Sequence, residues 1–587
     1  MRLAARAALT LLLAACDNRR DVFLGTVASG SGGALPGGDG LCEQHPVGAP
    51  VPRRFIDASA PADAPARFES AMCETSDVVR IRYPSDEAKL PINLAAPVCS
   101  WESDAPGTLF RLELQTAKAL IWLYTTQTSW SPPADVWSEL LRDAPSVLTL
   151  RVSVLNPDRA DRAWQSRPVR LGLGAALPES PIYYWSTTAH GLMRTDLTGA
   201  LPQRVAPPGK AEEAAQCVGC HSLSRDGLRV ALHADDGHLR VLQTEQLRPV
   251  LVGGSGGAEP KPGKMDKTGP GAPGAWSAFS PDGSRLVVAS NEALTLTNSD
   301  GMPLAPAKAT AMLPAKSFAA HPEWTPAGDR IVFTLAEKGG GRAIEKGQIV
   351  SISCAADALG AIEILVSAQG DENNFAPSVS PDGRYVAFVN TRGKSYDSTL
   401  SQLRLLRLSD NFVFPLTRLN TRVDNQDSSE PWGNTLPTWV SSSDGAELWL
   451  TFSSVRPYAN LRARDPKLDQ LWIAAIDPAA EDPASAALWA PFQRLSHGNH
   501  RALWGAPTES VSCGCHELCA DNLDNDCDGT TDEPDCTTSC AAEEICNDGI
   551  DNDCDCVIDD CPGEDCGDGV DNDDDGAIDQ ADAACGE

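Results

Sequence analysis

From about residue 75 onward, apolar and polar positions exchange with a period of two over short runs. The runs are separated by Pro, Asp, Gly and Ser. Those at 78–83, 109–114, 120–124, 148–155 and 169–173 predict half-buried strands rather than helices. Beyond residue 182 the alternation is tied to a recurring turn. Its cleanest copies are Ser280-Pro281-Asp282-Gly283 and Ser380-Pro381-Asp382-Gly383. Weaker ones are Ser224-Arg225-Asp226-Gly227, Thr325-Pro326-Ala327-Gly328 and Ser442-Ser443-Asp444-Gly445. An apolar residue stands just before each (Leu223, Phe279, Trp324, Val379, and Trp439 or Val440). Alternating pairs such as Leu286/Val288 and Val386/Phe388 follow. Proline presets φ for a turn and Asp-Gly closes it, so every copy predicts strand, tight turn, strand.

Successive turns lie about 45 to 62 residues apart, the length of a propeller blade. Strand candidates at 182–186 and 191–197 have no such turn of their own, and one at 500–505 has no unit after it. Pairing the late strand with the early ones predicts six blades: 182–206 with 500–507, then 221–252, 276–310, 321–365, 375–418 and 436–495. Closure of this kind removes both sheet edges. Residues 253–275 read as a Gly/Pro-rich excursion. The repeats resemble those of TolB-type, WD40-like propellers, which implies a non-catalytic binding or scaffold module with a protein, peptide or glycan partner. The strands of 75–181 predict a β-sandwich. There Trp101 ahead of 110–114 resembles a fibronectin III or immunoglobulin-like core pair. The expected class is all-β: a sandwich, a six-bladed propeller over 182–510, and an irregular tail over 511–587. Cys73 could bridge Cys99, or Cys42 could take either; spacing does not choose.

The chain has 587 residues, too many for one core. Its net charge is −32, and from Cys513 to Glu587 there are 26 acidic residues and no Lys or Arg. No basic surface can be read from it, so nucleic acid is not an expected partner. Nineteen cysteines point to an oxidising compartment. Arg2 and Arg6 precede an apolar run from Ala7 to Ala15, a signal peptide in form and too short to span a bilayer. It ends Leu13-Ala14-Ala15-Cys16, which resembles a bacterial lipobox. That resemblance implies cleavage before Cys16, acylation of its thiol and a membrane-anchored envelope protein; the plain alternative is an ordinary signal peptide. Residues 17–74, rich in Gly, Ser and Pro at their start, predict a flexible tether.

Two constellations carry chemistry. Cys217-Val218-Gly219-Cys220-His221 has the spacing of c-type haem attachment, with two thiols for the vinyl groups and an adjacent proximal ligand. The repeat alignment puts His221 where Ser277, Pro322, Pro377 and Pro437 stand, at the start of an inner strand. His321 in the fourth unit is the first choice for a distal ligand, with Met265 and His500 behind it. A haem c here predicts an electron-transfer or redox protein; a local Cys217–Cys220 disulfide is the plainer alternative. In the tail, Asp524, Asp526, Asp528, Asp532 and Asp535 stand at positions 1, 3, 5, 9 and 12 of a loop, with Gly529 at 6. Asp571, Asp573, Asp575, Asp579 and Asp582 repeat the pattern. Asp551, Asp553, Asp555 and Asp559 form a middle copy with Cys556 for glycine and Pro562 for the last acid. Such spacing predicts Ca²⁺ loops. They resemble thrombospondin type 3 repeats and, more closely, MopE-type Cys/Asp-rich metal-binding repeats, and cysteines such as Cys519, Cys527 and Cys536 would staple them. Gly253-Gly254-Ser255-Gly256-Gly257 matches a nucleophile elbow in letters only, because the strand–turn–helix context is missing.

Overall fold

The computed structural model describes residues 40–41 and 50–505, apart from 207–220, 234–238, 250–275, 421–431, 459–467 and a few shorter breaks. The described chain is mostly β-strand, with a few short helices.

Upstream of residue 175 lie two sheets. The larger has nine strands, centred on Val147–Leu155 beside Phe110–Gln115 and Leu120–Thr125. The smaller has three: Val79–Tyr83, Cys99–Ser103 and Ser129–Trp130. Trp101 is fully buried and meets Phe110 edge-on, with ring centroids 5.9 Å apart. The expected pair therefore does join the two sheets. The alternation predicted for 110–114 sorts two environments rather than core and solvent. Phe110, Leu112 and Leu114 enter the main core, whereas Arg111 is buried on the other side, stacked over Trp122 and Phe68 at 4.7 and 5.5 Å.

That second face corrects the tether boundary at 74. Arg53–Ile56 adds a parallel strand to Leu120–Thr125, and Met72–Thr75 adds one to Arg162–Gln165. Between them the helix Ala64–Glu69 buries Ala64 and Phe68 in a cluster with Leu120, Trp122 and Tyr124. Small alanines and one phenylalanine suffice to cover the sheet, so the segment folds despite its linker-like composition. Cys73 is disulfide-bonded while Cys99 is a buried free thiol, which excludes a Cys73–Cys99 bridge. Burial alone pushes the Cys99 thiol up to about 12.

Downstream stand six small antiparallel sheets in chain order. Their first strands are Ile182–Ser186, His221–Leu223, Trp276–Phe279, Phe318–Trp324, Glu372–Val379 and Thr435–Ser441. The late strand Asn499–Trp504 pairs antiparallel with Ile182–Ser186, Trp504 opposite Ile182 and Asn499 opposite Ser186. Going round, His221–Leu223 packs against Trp276–Phe279. Each following first strand touches the next, Thr435–Ser441 touches Asn499–Trp504, and that strand touches His221–Leu223 again. One detail departs from expectation. Arg248–Pro249, assigned from sequence to the second sheet, pairs with Gln203–Ala206 of the first. It covers an edge that would otherwise be unpaired and leaves the second sheet with three strands.

The turns explain the repeat. At each, the Ser or Thr backbone N–H donates to the carbonyl five residues on, and its hydroxyl accepts the N–H of that same residue. Tyr385 N to Ser380 Oγ is 2.9 Å, and Glu447 N to Ser442 Oγ is 2.9 Å. The hydroxyl in turn donates to the turn aspartate, as Ser280 does to Asp282 Oδ1 at 2.5 Å. This and the Ser284 hydroxyl hold the Asp282 carboxyl down at about 2. The glycines all sit at positive φ, from 66° at Gly283 to 72° at Gly227, where a Cβ would be strained. Strands inside the sheets are buried on both faces because sheet stacks on sheet. Leu286 and Val288 pack with Ala231, Leu239 and Phe279, and Val386 and Phe388 with Val332 and Ile349. Trp324 and Trp439 fasten neighbouring sheets by donating to the carbonyls of Ala278 and Ser378, at 3.2 and 2.9 Å.

Candidate functional site

The first strands and the closing strand Asn499–Trp504 meet at a hub, where three of the first strands and the closing strand share a distortion. The ladder slips in register where His321, Ala376, Leu436 and Arg501 adopt φ of 49–50°. Three of these residues precede a proline, whose missing N–H suits a bulge. The freed N–H groups turn to the neighbouring sheet. Ala376 donates to Thr334 Oγ1 at 3.1 Å and Arg501 to Ser453 Oγ at 3.2 Å.

Around this hub the structure gathers charged and titratable groups. Arg501, 13% exposed, donates from Nη1 to the carbonyl of His221 at 3.1 Å and brings Nη2 to 4.0 Å from Glu323 Oε2. Burial pushes the Glu323 carboxyl up to about 7, against the pull of Arg501 and Arg225. About a third of that side chain meets solvent, and this water moderates the shift. His221 is 1% exposed, and neither ring nitrogen has a hydrogen-bond partner among the described residues. Burial, then the Arg501 charge, lowers it to about 3. His321 is buried with its ring 3.8 Å from Trp276 and 6.2 Å from Phe375. Burial and Arg501 hold it well below the ordinary histidine range. His500 is turned to Asp469 Oδ2 at 3.3 Å.

Two expected site residues, His221 and His321, are both buried at the hub, and the Arg501 charge acts on both. Cys16, Cys217, Cys220, Met265 and every tail aspartate from Asp524 to Asp582 lie outside the described residues. Among the described residues no three His, Cys, Asp or Glu side chains cluster closely enough to hold a metal, and no helix is long and apolar enough to cross a membrane. Sequence reasoning did not single out Arg501 or Glu323. The one available signal was a lone arginine inside the closing strand candidate, at the position matching His321 and Ala376.

His221 has the chemistry of an iron ligand: a neutral imidazole with free nitrogens, directly after two cysteines at haem spacing. The hub also offers a cation, Arg501, and a protonatable carboxyl, Glu323.

No family model matches this chain, and no curated protein matches it. Among solved structures it is similar to a TolB protein of Agrobacterium tumefaciens, at 16% identity and a TM-score of 0.29. That alignment covers 56% of this chain and 98% of the other. It is also similar to the β-propeller domain of Cps50 (Swd1) from Myceliophteria thermophila, at 11% identity, TM-score 0.27, covering 53% and 97%. An oligogalacturonate lyase solved with manganese matches at 12% identity, TM-score 0.29, covering 57% and 87%. Its structural neighbours thus include TolB-type and other β-propeller proteins, and no residue role is carried over from them.

Proposed function

We propose that this chain is a lipid-anchored protein of the bacterial cell envelope whose six sheets form a six-bladed propeller beside a β-sandwich, and that it works as a non-catalytic binding module. The observation that carries this reading is the cyclic order of inner-strand contacts, returned to its start by Asn499–Trp504. Such a wheel leaves a hub face lined by Arg501, Glu323 and the strand entrances, suited to a protein, peptide or glycan. Acylated Cys16 anchors it, and the aspartate loops between Asp524 and Asp582 bind Ca²⁺ and stiffen the tail. A photo-crosslinking residue at position 323 should capture one defined envelope partner in intact cells. The same residue at exposed Ile364, on an outer strand, should not. Identical adducts from both positions would sink the hub-face assignment.

A second reading rests on a specific observation, the buried His221 ring with no hydrogen-bond partner among the described residues. In it Cys217 and Cys220 attach a haem c, and His221 is its proximal ligand. The haem would supply one-electron redox chemistry; the chain's own part is to hold His221 neutral and dry. Produced with a cytochrome c maturation system, the protein should then show a Soret band and the corresponding mass increment. A folded, colourless protein would end this reading and leave the local disulfide.

A further inference from the structure

A cavity of about 520 Å³ opens where the upstream sheets meet the sixth sheet. The two parts are joined firmly around it. Lys89 pairs with Glu447 at 2.7 Å, Trp489 N–H donates to Tyr83 Oη at 2.9 Å, and Ala88 bridges Ala486. Clefts of this size between packed units are common ligand sites.

Five arginines line the cavity, and four of them are neutralised. Arg80 and Arg82 pair with Glu102, Arg167 with Asp77, and Arg418 with Glu87, at 2.7–3.4 Å. Arg456 differs. It is only 7% exposed, and its guanidinium is enclosed by Trp472, Phe452 and Trp432 at 5.0, 5.2 and 5.7 Å. Its hydrogen bonds go to neutral oxygens: Nε to Ser454 Oγ at 3.1 Å, Nη2 to Asn434 Oδ1 at 2.8 Å and to the Leu419 carbonyl at 3.2 Å. A guanidinium has five N–H donors, and these bonds engage three. Among the described residues both hydrogens of Nη1 are left without an acceptor, and no carboxylate answers the charge.

A buried cation without a counterion is costly unless something completes it. Aromatic faces offset part of that cost, but they approach from the sides and leave the in-plane donors unmet. Nη1 offers two hydrogens to an acceptor in the plane of the fork, which suits a carboxylate. Most of the cavity wall is polar, made by the paired arginines and acids with Ser85 and Ser166, while Tyr83, Val169, Pro457 and Ala487 add an apolar patch to the same space.

We propose that this interdomain cavity binds a small organic monocarboxylate, its carboxylate held by Nη1 of Arg456 and its apolar part set against the patch of Tyr83, Val169, Pro457 and Ala487. The site is separate from the hub and independent of how the hub is used.

Calorimetric titration of the full mature chain with phenylacetate tests this, with phenylacetamide as the uncharged counterpart of the same shape. Phenylacetate should bind saturably and the amide at least tenfold more weakly. R456Q should remove phenylacetate binding. Because a buried arginine can matter for folding, Ser85→Trp serves as the second variant: it fills the cavity from a partly exposed wall and leaves the Arg456 side chain itself in place. It should keep the parental melting curve and lose phenylacetate binding at least tenfold. Absence of saturable heat with phenylacetate, equal affinity for the amide, or unchanged binding in a folded R456Q or S85W protein would overturn the proposal.

Discussion

A chain ending at Leu495 should not fold, whereas one ending at Pro507 should melt as the full chain does. The difference is the strand Asn499–Trp504. It supplies the ladder to Ile182–Ser186 and buries Asn499 and Ala502 completely. Its Ala502 carbonyl accepts Thr438 Oγ1 at 2.6 Å, its Arg501 reaches the His221 carbonyl, and Trp504 meets Phe492 edge-on. Removing it cuts the link between the first and sixth sheets and bares an edge whose Tyr183 and Tyr184 are buried in the intact fold. Several ladder bonds at about 1 kcal/mol each go together with the cover over Tyr183 and Tyr184, a large share of a domain's stability of about 5–15 kcal/mol. Thermal melts by circular dichroism and size-exclusion profiles of the two truncations would decide it. A cooperative, monomeric product ending at Leu495 would show that the wheel does not depend on its closing strand. The chain ending at Pro507 also tests the tail. Calcium heat present in the full chain should vanish from it, and unchanged heat would remove the loops at Asp524–Asp582 from the account.

What could be read from the letters was whatever local chemistry enforces. The turn works through a hydroxyl, a carboxylate and a glycine within six residues, so its copies stand out even where, as at Thr325-Pro326-Ala327-Gly328, one of the three is replaced. There Thr325 turns its hydroxyl to Asp329 at 2.8 Å instead. The closing strand was legible by elimination, because 182–197 lacked a turn and 500–505 lacked a successor. Long-range pairings without a local signature were not legible. Arg53–Ile56 and Met72–Thr75 join the nine-stranded sheet in parallel through partners distant in sequence, and alanine-rich 64–71 has no strong period. Arg248–Pro249 crosses back to the first sheet for reasons of edge coverage that no local pattern encodes. At the site, His221 and His321 were visible through repeat phase. Arg501 and Glu323 matter because they meet each other across 178 positions, which spacing cannot announce.

In apoprotein without haem, stability should rise with pH between about 4.5 and 6.5, and the two hub histidines should cause it. His221 is lowered to about 3 in the folded chain, against about 6.5 when unfolded; His321 is lowered too. Between the two values the unfolded state binds a proton that the folded state refuses. Unfolding is therefore favoured as pH falls, by up to about 1.4 kcal/mol per unit for each histidine. Glu323 acts in the opposite sense. Its carboxyl is raised to about 7, so the folded state holds a proton the unfolded state has lost, and stability falls as pH rises from about 4.5 to 7. Its partial exposure weakens that term, so the histidines dominate. Urea unfolding at several pH values should give a positive slope for the parent chain, a flatter one for His221→Leu, and a steeper one for Glu323→Gln, which deletes the opposing term. The comparison between variants cancels the background from the many surface carboxylates. A parent profile that is flat or declines with rising pH across this window would mean that the hub is wetter than the burial of His221 and His321 implies. The same water would then make His221 a poorer iron ligand, so this measurement also bears on the haem reading without any haem present.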